Sequence, residues 1–523
     1  MDDTGAVARP RWAPRSLFAD GRWRPWILAG LAGLAFALRV VGLDAESLWR
    51  DEIDAIRFAY WPLSLLVETF ARPGHNGPLY YLLLRPWLEI AGRSGFALRF
   101  FSLGFGVLSV PLTYRVARRL FPRWAGVALL SALLAAVSPY LVWYGQEGKM
   151  YALVVALALL SMDRYLAALK EGGWQRWLLY VAATSAAFYV HLVAALLVPV
   201  QVLGFFTFDR RVRRARWKPA AISLAALTLP YVPLLIWQVP LLLNGGETGY
   251  RFVPLQELLL SLLASYSLGV VQPSTPWPLV LFGALLLASA LAWKLPGVRR
   301  SSLLMLWAWL LVPVAAFFLV TLVRPMYTAR YLIFVLPAYL MLMAVALRAA
   351  ASHSRLVAGV ALAVVLATSG WGIWLQARNS LKSDFRAATR YVAPRLEAED
   401  LILFQIPYGR HSFEYYWPER RAPENGVPRM PDAAYRVFLP IGAGGGRPYR
   451  WAEGLYTNDG MDPGEAARRM EELTAGSNGI WLVATETTLW DERGLVQAWL
   501  EERASKTDEA HFVRVDVFRY ELP

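Results

Sequence analysis

The 523-residue sequence is 57% hydrophobic and only 18% charged, a balance that excludes an ordinary soluble chain and reads as a polytopic membrane protein. Its 53 Lys and Arg against 39 Asp and Glu leave a net charge of +14; in a membrane protein that excess collects in cytoplasmic loops facing anionic membrane lipids, so charge gives no ground for a nucleic-acid partner. The absence of cysteine excludes disulfides, thiolate metal sites and a cysteine nucleophile.

Residues 1–25 form a basic N-terminal tail with Arg9, Arg11, Arg15, Arg22 and Arg24. Apolar windows near the ~20 residues that cross a bilayer then follow at 26–43, 96–114, 125–143, 150–168, 177–190, 192–208, 219–238, 277–293, 302–323, 331–347 and 356–375. The sequence therefore predicts about eleven membrane helices within 26–376. Tyr189, His191 and Pro199 also allow 177–208 to be one long kinked helix, but that would move the basic loop 209–218 to the other side. A signal-peptide reading of 26–37, ending in Ala35-Phe36-Ala37, is the weaker alternative, because its leading segment is long and cleavage would strip the anchor from the acidic loop that follows.

Basic loops fix the sidedness. Arg115, Arg118, Arg119 and Arg123, then 210–218, then Lys294, Arg299 and Arg300 all share the side of the N-terminus by parity, which predicts a cytoplasmic N-terminus. The loops 44–95, 144–149, 239–276 and 324–330, the turn at His191 and everything after 376 then fall on the exofacial side. Segment 377–523 is polar and about the size of one small domain. Helix-like 384–396, 463–475 and 494–505 alternate there with β-rich Leu401–Ile406, Ile480–Ala484 and Phe512–Arg519, which predicts an extracytoplasmic α/β domain, with 418–431 and Gly442–Gly446 as loops.

Polar residues gather on the predicted exofacial side. The first loop, 44–95, carries Trp49-Arg50-Asp51-Glu52 directly after a membrane helix, followed by interfacial aromatics and a 62–67 stretch that reads as a helix lying on the membrane surface. Carboxylates at such a depth default to function. Further along, Pro73 to Tyr81 presents His75 and Asn76 in a Gly/Pro turn ahead of an apolar run. The short second loop holds Glu147 and Lys149, and the fifth ends in Arg330-Tyr331 at a helix start, where a cation opposes the helix dipole and calls for an anionic partner. Together they describe a site for a lipid-linked anionic substrate. Lys149 and Arg330 would neutralise a phosphate leaving group while a carboxylate deprotonates or orients an acceptor hydroxyl that attacks a sugar C1.

These segments resemble the GT-C class of membrane glycosyltransferases, in particular the broad bacterial family related to protein O-mannosyltransferases and lipid A aminoarabinose transferases. Trp49-Arg50-Asp51-Glu52 resembles that family's first-loop Asp-Glu motif, His75 to Tyr81 its His-Pro-Pro-Leu-Tyr-Tyr segment, Gln146 to Tyr151 its Gln-Glu-Ala-Arg-Met-Tyr segment, and Arg330-Tyr331 with Pro337 its late Arg-Tyr-Leu segment. The resemblance implies a polyprenyl-phosphate-sugar donor, a hydroxyl acceptor, inversion at the anomeric carbon, Asp51 as base, juxtamembrane helices in the first loop and a place in a bacterial inner membrane. Two departures stand out: Asn76-Gly77 replaces part of a Pro-Pro pair, and Lys149 stands where Arg is usual, which removes a bidentate grip on phosphate. Members differ in metal use, so Mg or Mn held by Asp51 and Glu147 is an optional cofactor. A transporter or flippase of lipid-linked sugars is the alternative; the repeats and interrupted mid-membrane helices of transporters are not evident.

Overall fold

The computed structural model describes residues 23–71, 77–233, 236, 250–272, 275–397, 399–417 and 450–523. His75, Asn76 and the predicted loops at 418–431 and 442–446 lie outside them. The chain opens with helices α1 (Arg24–Val40), α2 (Arg50–Tyr60), α3 (Leu63–Ala71), α4 (Pro78–Ala91), α5 (Gly95–Leu120), α6 (Ala125–Val137), α7 (Pro139–Gly145), α8 (Tyr151–Glu171) and α9 (Trp174–Val190). The first loop thus carries three helices of its own, one of them over the stretch read as surface-lying. Further helices follow at Leu197–Thr207, Arg210–Thr228, Leu255–Leu268, Trp277–Leu291, Arg300–Val323, Leu336–His353 and Arg355–Arg378. The one at Leu255–Leu268 falls where the sequence predicted only loop.

Among the described residues six helices are long and apolar enough to cross a membrane, or seven if α6 and α7 count as one broken span, so the eleven expected are not reached on length and composition. The four others differ for physical reasons. Helices α1 and α9 each stop at 17 residues, and 192–208 divides into a 3-10 turn, Leu192–Leu196, and an 11-residue helix. The window at 219–238 belongs to a helix that begins in the basic run at Arg210, and its far end leaves the described residues. Burial orders the bundle: α8 and Ala329–His353 are 83% and 89% buried across their apolar windows, whereas Trp277–Lys294 and Arg355–Arg378 are only 28% buried. The latter pair exposes Leu287, Leu291, Leu356 and Val360, side chains whose natural solvent is lipid.

The break between α6 and α7 bends the chain by 55°. Pro139 lacks an N–H, so carbonyls of the preceding turn lose their helical donor. The fully buried Arg39 of α1 supplies the replacement, donating from Nη1 to Ala136 O at 3.0 Å and from Nη2 to Ala135 O at 3.3 Å. Its stem packs where a Cβ on Gly145 would meet it at 2.9 Å. An arginine inside the first apolar window is thus a helix-end cap that lets α7 turn toward the site.

The C-terminal segment forms a five-stranded sheet in the order β2-β1-β3-β5-β4, from β1 (Leu401–Phe404), β2 (Arg450–Glu453), β3 (Gly479–Ala484), β4 (Ser505–Phe512) and β5 (Val515–Glu521). Strand β1 runs parallel to β2 and β3, and β3 pairs antiparallel with β5. The central strands β1 and β3 are buried throughout, as their continuous apolar runs require. One face packs Leu403, Leu482, Met470 and Leu500, and the other packs Ile402, Phe404, Phe385 and Phe413. The predicted run Phe512–Arg519 starts at the last residue of β4, crosses the two-residue turn Val513-Arg514, with Arg514 at φ 56°, and covers most of β5; the sequence did not predict β4 as a strand.

This sheet domain sits on the first loop. The Tyr416 hydroxyl accepts from Leu48 N at 2.6 Å, Glu46 accepts from Leu381 N at 2.6 Å, the Tyr415 hydroxyl donates to Arg93 O at 2.7 Å, and the Arg50 guanidinium lies 3.8 Å from the centre of the Tyr408 ring. The start of α2 is therefore framed by protein rather than left to swing.

Candidate functional site

Asp51 and Glu52 occupy the first turn of α2, after Trp49 in extended conformation. Acidic residues suit that turn because the free N–H groups and the helix dipole are positive there. Consecutive residues on a helix point about 100° apart, so the two carboxylates enter different surroundings.

Glu52 turns inward and is fully buried. Its carboxylate accepts from Arg99 Nε and Nη2, both at 2.8 Å, from Gly148 N at 2.9 Å, and from Lys382 Nζ at 3.2 Å to each oxygen. Arg99 in turn donates to the carbonyls of Leu43, Glu46 and Ser47. Burial alone would raise the Glu52 carboxyl, but the charges of Lys382 and Arg99 and the Arg99 and Gly148 hydrogen bonds outweigh it and hold the pKa down at about 2. Gly148 reaches this position because it has no side chain: a Cβ there would lie 2.5 Å from Leu98. The cluster joins four separate segments: the early part of the first loop, α5, the second loop and the linker after the last long helix.

Asp51 turns the other way and keeps about a quarter of its side chain exposed. Its Oδ2 lies 3.5 Å from Arg330 Nη1. The Arg330 guanidinium is set among rings, 5.7 Å from Trp49, 5.8 Å from Tyr151 and 6.0 Å from Tyr331. It belongs to the 3-10 turn Ala329–Val335, which feeds the most buried long helix. Lys149 lies buried, its Nζ 5.9 Å from the Tyr81 ring centre. Burial disfavours its charge, yet Tyr81 first, then Asp51, Asp54 and Glu147, outweigh that and raise its pKa. Glu147 is buried too, and its Oε1 has no hydrogen-bond partner among the described residues. Burial pushes its carboxyl up to about 7; Lys382 and Arg330 pull it back, and the Glu52 and Asp51 charges add to the rise.

The arrangement thus brings Asp51, Glu147, Lys149, Arg330 and Tyr331 to one locality, with Glu52 behind them in the scaffold. Three residues at or behind this site were not singled out from the sequence. Arg99 could have been found, as a charge inside an apolar window is itself a signal. Lys382 carries no local signal, because its partner is 330 residues away. His191, noted only as a turn, is 2% exposed and sits 5.5 Å from the Tyr331 ring and 6.1 Å from that of Tyr151, with neither ring nitrogen hydrogen-bonded among the described residues.

For a metal the fit is poor. No group of three or more His, Asp or Glu side chains among the described residues is placed to hold one. Asp51 and Glu147 stand beside Arg330 and Lys149, whose charges oppose a divalent cation.

Comparison with known proteins bears on the fold. Residues 74–237 match the model of a family described as dolichyl-phosphate-mannose-protein mannosyltransferase. No curated protein matches the chain. Among solved structures, ArnT from Cupriavidus metallidurans in the apo state superposes with a TM-score of 0.59 at 14% identity, covering 95% of this chain and 98% of that one. The same protein bound to undecaprenyl phosphate gives 0.57 at 15% identity, with the same coverage. The oligosaccharyltransferase of Archaeoglobus fulgidus, in a complex with Zn and sulfate, gives 0.51 at 13% identity, covering 95% of this chain and 73% of that one. The fold is that of the GT-C membrane glycosyltransferases, with a small sheet domain at its C-terminal end, and the resemblance carried by the sequence motifs holds.

Proposed function

We propose that this chain is an inverting glycosyltransferase that moves a sugar from a polyprenyl-phosphate donor to a hydroxyl acceptor on the exofacial side of a bacterial inner membrane. The observation that carries the reading is the 3.5 Å pair of Asp51 and Arg330, with Lys149 and Glu147 close by. A carboxylate and two cations at one place are what the reaction needs. The acceptor O–H gives its proton to Asp51, the acceptor oxygen bonds to C1, and the C1–O bond breaks with its electron pair left on the phosphate. Attack opposite the breaking bond inverts the anomeric carbon. Arg330 and Lys149 stabilise the charge that grows on the leaving phosphate. Arriving phosphate also competes for Arg330, which frees Asp51 to act as base only when donor is present. Glu52 serves as a positioning residue, since its lone pairs are committed to Arg99, Lys382 and Gly148. His75 and Asn76 are proposed to line the donor side.

ArnT has been crystallised with undecaprenyl phosphate, which supports a polyprenyl phosphate as donor carrier here. No observation favours a transporter. The topology proposed has eleven passes with 377–523 exofacial, and a reporter fused after Pro523 that works only in the cytoplasm would overturn it. For the activity, the purified chain in proteoliposomes is given radiolabelled polyprenyl-phosphate sugars and a panel of protein, lipid and glycan hydroxyl acceptors. Transfer with inversion is expected. Failure to consume any donor across the panel would overturn the reading.

A further inference from the structure

Among the buried groups of the site, His191 takes no part in the proposed chemistry. His191 follows α9 in extended conformation and opens the 3-10 turn Leu192–Leu196, so its ring projects from a break between helices. The ring lies beside Tyr331 and Tyr151, the same tyrosines that flank Arg330. A buried imidazole with both nitrogens unpaired is costly, and such groups persist where a ligand completes them. Glu147 Oε1, Trp49 Nε1 and Arg330 Nε are likewise buried and unpaired among the described residues. The unpaired atoms include donors and acceptors, which together suit a polyol rather than a simple anion.

We infer that His191 forms, with Tyr151 and Tyr331, a subsite that hydrogen-bonds a hydroxyl of the donor's sugar ring. Resting on the transferase reading, it assigns the sugar end of the donor to this side of Arg330 and leaves the phosphate to Arg330 and Lys149. Charge decides between the two ends. Burial and the Arg330 charge lower the imidazole pKa to about 4, so the ring is neutral, with one nitrogen a donor and the other an acceptor. Sugar hydroxyls offer both functions, so one can donate to the acceptor nitrogen while a second accepts from the N–H, whereas an ionised phosphate offers acceptors only and leaves one nitrogen empty. The tyrosine rings give the apolar walls on which a sugar's C–H face can rest.

Full-length protein in nanodiscs is titrated with a bare polyprenyl phosphate and with the same lipid carrying mannose or arabinose. Wild type is expected to bind at least one sugar-bearing lipid more tightly than the bare one. His191→Phe keeps the ring's bulk and should lose about 5–10-fold in affinity for that lipid, the worth of one neutral hydrogen bond, while bare-lipid binding stays within about twofold. His191→Gln should recover part of the loss. Bare-lipid binding doubles as the folding control for both variants. Equal losses for both lipids, no loss for any sugar-bearing lipid, or a wild type without preference would each overturn the subsite. A wild type that binds neither kind of lipid would instead sink the transferase reading itself.

Discussion

The two carboxylates at the start of α2 share a helix turn and almost nothing else. Glu52 accepts from two positively charged side chains and a backbone N–H, which together occupy both of its carboxylate oxygens. On the Asp51 side the contacts are longer and sparser, and Glu147, His191 and Arg330 keep polar atoms without partners among the described residues. Saturation marks the difference between holding a structure and waiting for a ligand. A saturated buried ion cluster has nothing left to offer a substrate, and breaking it leaves uncompensated charge in a low-dielectric interior. An unsaturated cluster tolerates its deficit only because something else completes it in use.

The hardest test of that contrast is on the saturated side. Glu52→Gln removes the close counter-charge of both Arg99 and Lys382, leaving Arg99 only Asp44 at 4.0 Å, and should cost about 3–5 kcal/mol of stability, enough to collapse the yield of folded protein in detergent. A variant with unchanged melting and expression would mean that the cluster does not hold the first loop. Across the turn, Asp51→Asn keeps the shape but cannot take a proton, so turnover should fall by about 10²–10⁴ at saturating donor. Its melting temperature should stay close to that of wild type. Turnover within a few-fold of wild type would remove Asp51 as base and leave Glu147 to be tested. Next in size, Arg330→Ala and Lys149→Ala should each weaken donor binding by about 10–100-fold, the worth of a charge-assisted hydrogen bond. Unchanged affinity in both would place the phosphate elsewhere, with Arg50 the next candidate to test.

Much of the site was legible because polar residues are conspicuous in an apolar chain. Asp51, Glu147, Lys149 and Arg330 stood out in loops whose parity put them on one face, and the structure places them together. The sequence could not say which of Asp51 and Glu52 faces inward, because that depends on Arg99 and Lys382, 47 and 330 residues away. Nor could it show that Arg39 caps the end of α6, since the need arises only once Pro139 has bent the chain. In the membrane part, apolar windows located helices well and their ends poorly: composition does not reveal that 192–208 starts as a 3-10 turn or that the helix at Arg210 begins in a basic run. In the sheet domain the apolar runs marked β1, β3 and β5, but β2 and β4 stayed hidden, because Arg450–Glu453 is short and partly exposed and Ser505–Phe512 is a polar, largely exposed strand with no apolar run to mark it.

The smallest effect separates the two sides by the sign of their response to pH. The Glu52 pKa lies below the ordinary carboxyl value of 4.5, so its contribution to stability is in full force above that value and is lost as pH falls toward about 2. For Glu147 the folded pKa, about 7, lies above 4.5, so between these values the folded state holds a proton that the unfolded state has released. Stability from this group is therefore full below pH 4.5 and drains away as pH rises through 7. His191 works in the opposite direction, since its pKa is lowered to about 4 and its neutral form favours the fold above pH 6.5. The wild-type curve sums these, so the informative quantity is a difference. Glu147→Gln removes the carboxyl but leaves His191 in place. Its melting temperature minus that of wild type should increase by about 2–5 °C between pH 5 and pH 8, as the wild type alone acquires a buried, poorly paired carboxylate. A difference that is flat across that range would show that Glu147 is already ionised at pH 5, and with it that the unsaturated side is better compensated than its missing partners suggest.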